Sequence, residues 1–113
     1  MSKILKIRAR QVFDSRGNPT IEAEVYSKKL SASAICPSGA STGTYEAFEK
    51  RDSANKKYLG KSVLNAVKLI NTKISKKLSG KNIHDQTRID TILINLDGTR
   101  QKTNLGANAI LAV

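Results

Sequence analysis

The sequence is short of several residue types, and each shortage excludes a class of function. The 113 residues include one cysteine, Cys36, and one histidine, His84. A disulfide within the chain is therefore impossible, and a metal site built from clustered cysteine and histidine lacks its ligands. Cys36 fits best as a small packed side chain, and His84 as a solvated loop residue. Neither supports nucleophilic catalysis.

Long apolar runs are also missing. No stretch approaches the roughly 18 consecutive apolar residues of a membrane helix, and the first ten residues carry charges where a signal peptide needs an apolar core. We therefore expect a soluble, cytoplasmic protein. Its length and its 39% hydrophobic content suit one compact domain.

Acidic residues are few: 9 Asp and Glu stand against 20 Lys and Arg, a formal charge of +11. Nucleic acid or another polyanion is one partner that such a charge suggests. However, aromatic residues that stack on bases make up only 4% of the chain, and the lysines are spread from Lys3 to Lys102. A solvated lysine-rich surface is favoured, and nucleic acid stays open as the alternative.

The hydrophobic pattern predicts an α+β fold. Alternation over residues 4–13 and 20–26, with a return over 30–36, predicts a three-stranded antiparallel meander. The turn formers at 14–19 reverse the chain between its first two strands. Apolar residues spaced by three or four then predict a helix over 61–78 that Gly80 ends, and a second helix that Asp85 caps and that stops at Asp97-Gly98.

A third helix is predicted over 105–113, with Asn104 as its cap. It has no polar end, because the sequence finishes in Ile110-Leu111-Ala112-Val113. Helices rarely end on exposed apolar residues. We therefore expect residues 1–113 to be one incomplete domain, truncated at its carboxyl end.

Five segments together resemble one known family, the enolases, in order and spacing, with the closest resemblance to bacterial members. The match runs the whole length of the chain, and five segments at family-like intervals are far more specific than any one of them. They are DSRGNPT at 14–20, PSGASTG at 37–43, Glu46-Ala47 with Arg51-Asp52, LDGT at 96–99 and LGANAIL at 105–111.

The resemblance implies an enzyme, a lyase of glycolysis that reversibly dehydrates 2-phosphoglycerate to phosphoenolpyruvate with two Mg²⁺ ions per active site. In the family, the lysine base, the glutamate acid and the carboxylates of the tighter magnesium site lie in a carboxy-terminal barrel domain. That domain is absent from this chain. The resemblance therefore implies a lid-bearing amino-terminal domain that has no catalytic residues of its own and is inactive alone.

The lid itself matches residues of the small-residue segment, and its serine matches Ser41, which the resemblance implies as a ligand of the second Mg²⁺ through its hydroxyl and backbone oxygen. Magnesium prefers such hard oxygen ligands. Without the resemblance, a glycine-rich connector is the favoured interpretation, and a phosphate-binding P-loop is excluded because no lysine follows Gly43. The implied lid residues are Ser38, Gly39, Ala40, Ser41, Thr42 and Gly43.

The resemblance also implies a homodimer or larger homo-oligomer. Arg10 and Glu22 match positions that form salt bridges across the family's dimer, and Arg16 matches one near the active-site rim that we group with them as an interface candidate. Their alternative is ordinary charge on a strand face, which contributes only about 0 to 1 kcal/mol. The chain departs from the family in a short hairpin over residues 26–37, at Ser53-Ala54 where glycine is common, and in its basic charge.

Two rival functions stay open beside the enzyme. The chain could be a basic, non-catalytic fragment that binds nucleic acid or a protein, or a purely structural dimerisation fragment. Sedimentation of the isolated chain separates the second from the others, and a coding sequence that continues in frame past Val113 favours the enzyme.

Overall fold

The computed structural model describes residues 3–36, 50–51, 62–99, 102 and 104–113. The α+β class is confirmed. No helix among the described residues is both long enough and apolar enough to cross a membrane. Three strands precede the helices: β1 (Lys6–Phe13), β2 (Pro19–Tyr26), β3 (Ser31–Cys36), α1 (Leu64–Leu69), a π-helical segment (Ile70–Ile74), α2 (Ser75–Leu78), α3 (Gln86–Asp97) and α4 (Ala107–Ala112).

The strands pair antiparallel in the order β1-β2-β3, which confirms the predicted meander. Because successive side chains of a strand point to opposite faces, the register gives the sheet two different sides. Ile7, Ile21 and Ala23 lie on the side that is buried under the helices. The other side carries polar and charged residues of β1 and β2: Lys6, Arg8, Arg10, Glu22, Glu24 and Tyr26.

The turn predicted over residues 14–19 joins β1 to β2, and Asp14 organises it. Its Oδ1 accepts hydrogen bonds from the backbone N–H groups of Arg16 and Asn18, both at 2.9 Å. Gly17 adopts a left-handed φ of 77°, which glycine takes at little cost. The backbone N–H of Asn18 is the largest cause that lowers the pKa of Asp14, and the Arg16 and Arg51 guanidinium groups lower it further.

The predicted helix over 61–78 is present over residues 64–78, but its middle is π-helical. Buried apolar residues recur there every four positions, at Ala66, Ile70, Ile74 and Leu78. At 3.6 residues per turn, such a repeat drifts around an α-helix by about 40° at each step. The wider π turn reduces this drift between Ile70 and Ile74, and all four side chains are buried. We call residues 64–78 the long helix.

Polar side chains of the long helix cover the outer edge of β1. Asn71 Oδ1 accepts from the Ala9 N–H at 2.7 Å, and Asn71 Nδ2 donates to the Ala9 carbonyl at 3.1 Å. Ser75 Oγ accepts from the Ile7 N–H at 3.4 Å. Unpaired edge groups invite pairing with other chains, so these contacts close that edge of the sheet.

The second helix, α3, has the ends that the sequence predicts. Asp85 caps its amino end by accepting from the Arg88 N–H at 3.2 Å, and Gly98 ends it with a φ of 73°. The predicted cap of the third helix is wrong. Gly106 occupies the cap position of α4, because the Asn104 amide donates instead to the Asp97 carbonyl at 2.7 Å.

The core lies between the long helix, α3 and the covered side of the sheet. Burying a branched aliphatic side chain contributes about 1.5 to 3 kcal/mol, so a small set of such residues dominates the stability of this domain. The largest aliphatic side chains that are fully buried are Ile21, Ile70, Ile74, Leu78, Leu93 and Leu105.

Candidate functional site

The residues that the family resemblance implies as a lid fall on a part of the chain that the structure does not describe. Ser38, Gly39, Ala40, Ser41, Thr42 and Gly43 all lie outside the described ranges, as does the segment Glu46-Ala47. The described residues on either side of this stretch are Cys36 and Lys50. Their surroundings define the candidate site.

Cys36, the last residue of β3, is held to the start of β2. The Thr20 hydroxyl donates a hydrogen bond to the Cys36 carbonyl. Thr20 is itself buried, at 2% exposure. The backbone at Cys36 therefore has a fixed position relative to β2, one residue before the undescribed stretch begins.

Lys50 is held by Asn108, on the first turn of α4. Asn108 Oδ1 accepts from the Lys50 N–H at 2.9 Å, and Asn108 Nδ2 donates to the Lys50 carbonyl at 2.9 Å. The side-chain amide thus satisfies both backbone groups of one residue, as a neighbouring strand would. Asn108 is only 5% exposed, which raises the cost of breaking these bonds.

Gly106 makes room for this contact. A Cβ at position 106 would lie 2.3 Å from the Lys50 Cβ and 2.7 Å from Asn108 Oδ1, much closer than van der Waals contact allows. The φ of Gly106 is 89°, in the left-handed region. Both its conformation and its surroundings therefore require glycine.

Arg51 links the same backbone to the turn between β1 and β2. Its Nη1 donates to the Pro19 carbonyl at 2.8 Å, and its charge is among the causes that lower the pKa of Asp14. Residues 50 and 51 are consequently held from two sides, by α4 through Asn108 and by the start of β2 through Pro19.

The connection from α3 to α4 is organised by Asp97, which is 2% exposed. Its carboxylate accepts from the N–H and hydroxyl of Thr99, and from the Leu105 N–H at 2.7 Å. Burial alone raises the pKa of Asp97, but the hydrogen bonds from Thr99, Leu105 and Asn104 outweigh it, so the pKa is lowered. Asp97 therefore favours its charged form and sets where α4 begins.

Four of the five segments that carry the family resemblance meet here through these bonds. The turn at 14–20 contacts Arg51, the segment at 105–111 supplies Gly106 and Asn108, and Asp97 with Thr99 connects the segment at 96–99 to it. The sequence did not single out Asn108. Asparagine is a poor helix former, so an asparagine between two alanines at the start of a helix was the available signal.

The three interface candidates occupy two places. Arg10 and Glu22 are cross-strand partners on the uncovered side of the sheet, with Arg10 Nη1 3.3 Å from Glu22 Oε1. Arg10 also pairs with Glu24, whose pKa is lowered chiefly by a hydrogen bond from the Tyr26 hydroxyl. Arg16 lies in the turn between β1 and β2.

A separate groove of about 210 Å³ lies between the sheet and α3. None of the described side chains that line it ionises near neutral pH, so these residues offer no acid or base. Within the described ranges, no three of His, Cys, Asp and Glu come together as metal ligands either. The groove is lined by Ile4, Ala23, Val25, Ala32, Ser33, Ala34, Leu78, Ile83, Gln86, Ile89, Ala112 and Val113.

Comparison with known proteins gives concordant matches. Residues 4–113 match the family described as "Enolase, N-terminal domain". The chain is 92% identical over 113 residues to an enolase of Pelagibacter ubique (strain HTCC1062), covering all of this chain and 27% of that protein. It is 60% identical over 111 residues to an enolase of Methanococcus maripaludis (strain C5), covering 97% and 26%. The chain thus spans about a quarter of the length of these relatives.

Proposed function

The chain belongs to the enolase family, through that family's amino-terminal domain, and on this basis we propose that it serves as the lid-bearing part of an enolase. The complete enzyme would convert 2-phosphoglycerate to phosphoenolpyruvate and back. The observation that carries the proposal is the family match over residues 4–113, together with 92% identity to a named enolase.

The lid is the contribution of this chain to the reaction. Ser41, flanked by Ala40 and Thr42, offers a hydroxyl and a backbone oxygen, and this donor set fits Mg²⁺, which binds hard oxygen ligands. A bound Mg²⁺ would stabilise the negative charge that develops on the substrate carboxylate when the neighbouring proton is removed. Gly39 and Gly43 would allow the segment to bend at its ends.

The described contacts support a lid with firm attachments. Thr20 holds Cys36 on the amino side, while Asn108 and Arg51 hold residues 50 and 51 on the carboxyl side. A lid returns to one closed position only if its ends are anchored, because catalytic geometry tolerates little displacement. Asn108 and Arg51 would therefore act as positioning residues.

The remaining parts of the proposal concern the complete enzyme. Residues 1–113 would form one incomplete domain, and the base, the acid and the tighter magnesium site would come from a carboxy-terminal barrel domain. The enzyme would work in the cytoplasm as a dimer or larger homo-oligomer. Arg10, Arg16 and Glu22 would lie at its interface, where Arg10 would exchange or share the partners it has within this chain.

The test is a chimera in which these 113 residues replace the matching part of the Pelagibacter ubique enolase. Phosphoenolpyruvate formation from 2-phosphoglycerate, followed by ultraviolet absorbance with excess Mg²⁺, should match that enzyme closely. The isolated chain, under the same conditions, should show no activity above buffer. A folded chimera without activity would overturn the proposal, and activity of the repurified chain alone would overturn the division of roles.

A further inference from the structure

The basic residues of this chain are distributed unevenly. Between residues 53 and 84 there is no Asp or Glu, while eight lysines occur in the same interval. The long helix supplies half of these lysines. On the sheet, by contrast, Arg10 pairs with both Glu22 and Glu24. Sequence alone gives this acid-free interval but does not say where its lysines point.

The fold gathers these lysines on one surface. The long helix buries its apolar residues against the sheet, so its lysines are left on the side that faces solvent. All four are exposed, and within the described ranges none of them forms an ion pair. They cover about 13 Å along the helix at 1.5 Å per residue. We name this surface the lysine face; its residues are Lys68, Lys73, Lys76 and Lys77.

More positive charge lies at the carboxyl end of the long helix. The chain turns there against residues 3–4, where the Ile4 N–H donates to the Lys81 carbonyl at 2.9 Å and the Gly80 N–H donates to the Ile4 carbonyl at 2.7 Å. The backbones of Lys3 and Asn82 pair in an isolated antiparallel β-bridge. Lys3 and Lys81 are therefore brought next to the end of the lysine face.

The composition of the lysine face indicates what it can bind. A helix that lies on a membrane needs an apolar side to insert, but on the long helix Leu64 is the only large apolar residue that is exposed. Protein interfaces are depleted of lysine and depend on aromatic, methionine and arginine anchors, none of which is present on this face. Interfaces with nucleic acid are strongly positive.

We propose that the lysine face binds the phosphate backbone of nucleic acid without sequence preference, and that it does so independently of the enolase activity. No aromatic side chain lies on this face to stack on bases, so contacts would be with phosphates alone. Affinity should then depend steeply on salt, because each phosphate that a lysine neutralises releases condensed counterions. The same chemistry admits RNA and DNA.

The experiment measures binding of the 113-residue chain to a fluorescent RNA duplex of about 20 base pairs, and to the DNA duplex of the same sequence. With four contacts, affinity should fall about 100-fold between roughly 50 and 200 mM salt, and only about tenfold in a Lys73→Gln/Lys76→Gln variant. Lys28→Gln/Lys29→Gln removes the same charge from the exposed hairpin between β2 and β3 and should keep the wild-type salt dependence.

Circular dichroism establishes that each variant is folded before binding is compared. Equal losses in the two double variants would overturn the proposal, since net charge alone would then explain binding. Absence of binding to both duplexes at about 50 mM salt would also overturn it. So would binding of polyglutamate or phosphatidylserine vesicles that matched the duplexes in strength and in sensitivity to Lys73→Gln/Lys76→Gln.

Discussion

Asn108 holds the backbone of Lys50, 58 residues away in sequence, with both ends of its side-chain amide. The two bonds, each 2.9 Å, join the first turn of α4 to the residue that follows the undescribed stretch 37–49. One residue later, Arg51 donates to Pro19 at the start of β2. A single point of the backbone is thereby tied to both the helical and the sheet layers.

Replacing Asn108 with leucine should destabilise the chain by about 2 kcal/mol, because the Lys50 N–H and carbonyl would be left unsatisfied in a partly buried place. The free energy of unfolding from urea titration measures this change. Asn95→Ala, at an exposed position of α3, is the matched control and should change stability by no more than about 0.5 kcal/mol. An Asn108→Leu variant as stable as that control would contradict the importance of this contact.

Gly106→Ala should be more damaging than Gly98→Ala. Both glycines have a left-handed φ, which costs another residue about 1 to 2 kcal/mol. Only at position 106 would the new Cβ collide with Lys50, at 2.3 Å, whereas at 98 the nearest atom is 3.8 Å away. We expect Gly106→Ala to lose at least about 1 kcal/mol more, from overpacking. Equal melting temperatures of the two variants would show that Lys50 moves aside freely.

Asp97 should make stability depend on acid pH. Burial raises the folded-state pKa of Asp97, but the hydrogen bonds from Thr99 and Leu105 lower it by more, so the pKa is lowered overall. Its contribution is therefore complete above the unfolded-state pKa, about 3.9, and is lost as the pH falls through the lowered folded-state pKa. In Asp97→Asn, the free energy of unfolding should decrease less as the pH falls through this range. Urea titrations at a series of pH values measure this dependence. Asn95→Ala, at an exposed position of α3, is the control and should keep the pH dependence of the unsubstituted chain. An Asp97→Asn variant with that same pH dependence would refute the assignment.

Asn71→Leu should remove the two hydrogen bonds by which the long helix covers the outer edge of β1. The Ala9 N–H and carbonyl would lose their partner, so stability should fall by about 1 to 3 kcal/mol and self-association should increase. Thr72→Leu, at the next and also exposed position, adds an apolar side chain without touching the edge. Analytical ultracentrifugation measures self-association of the two variants. If Thr72→Leu associated as strongly as Asn71→Leu, the added surface hydrophobicity would explain the effect.

Ser41→Ala in the complete enzyme should lower turnover by weakening the second magnesium site, and the deficit should grow as Mg²⁺ is reduced. The fold should be nearly unaffected. Kinetics across a Mg²⁺ titration measure the effect, with Ser33→Ala on exposed β3 as the control. Activity equal to wild type at every Mg²⁺ concentration would leave the segment at 37–43 as a simple connector.

The sequence by itself determined the elements whose causes are local. The turn at 14–19, the strand alternation, the Asp85 cap and the Gly98 stop each depend on a few neighbouring residues, and all four were predicted and are present. The family resemblance was also readable from the sequence, because it rests on ordered motifs.

Tertiary structure decided the contacts between distant residues. The role of Asn104 was mispredicted because Asp97, seven residues earlier, takes its side-chain amide. The clamp of Asn108 on Lys50 and the cover of Ala9 by Asn71 span 58 and 62 residues. The periodic position of a polar side chain shows that it lies near a helix surface. Its hydrogen-bond partner, however, is whichever unpaired backbone group the packing of the fold places beside it. Only the folded chain brings those groups together.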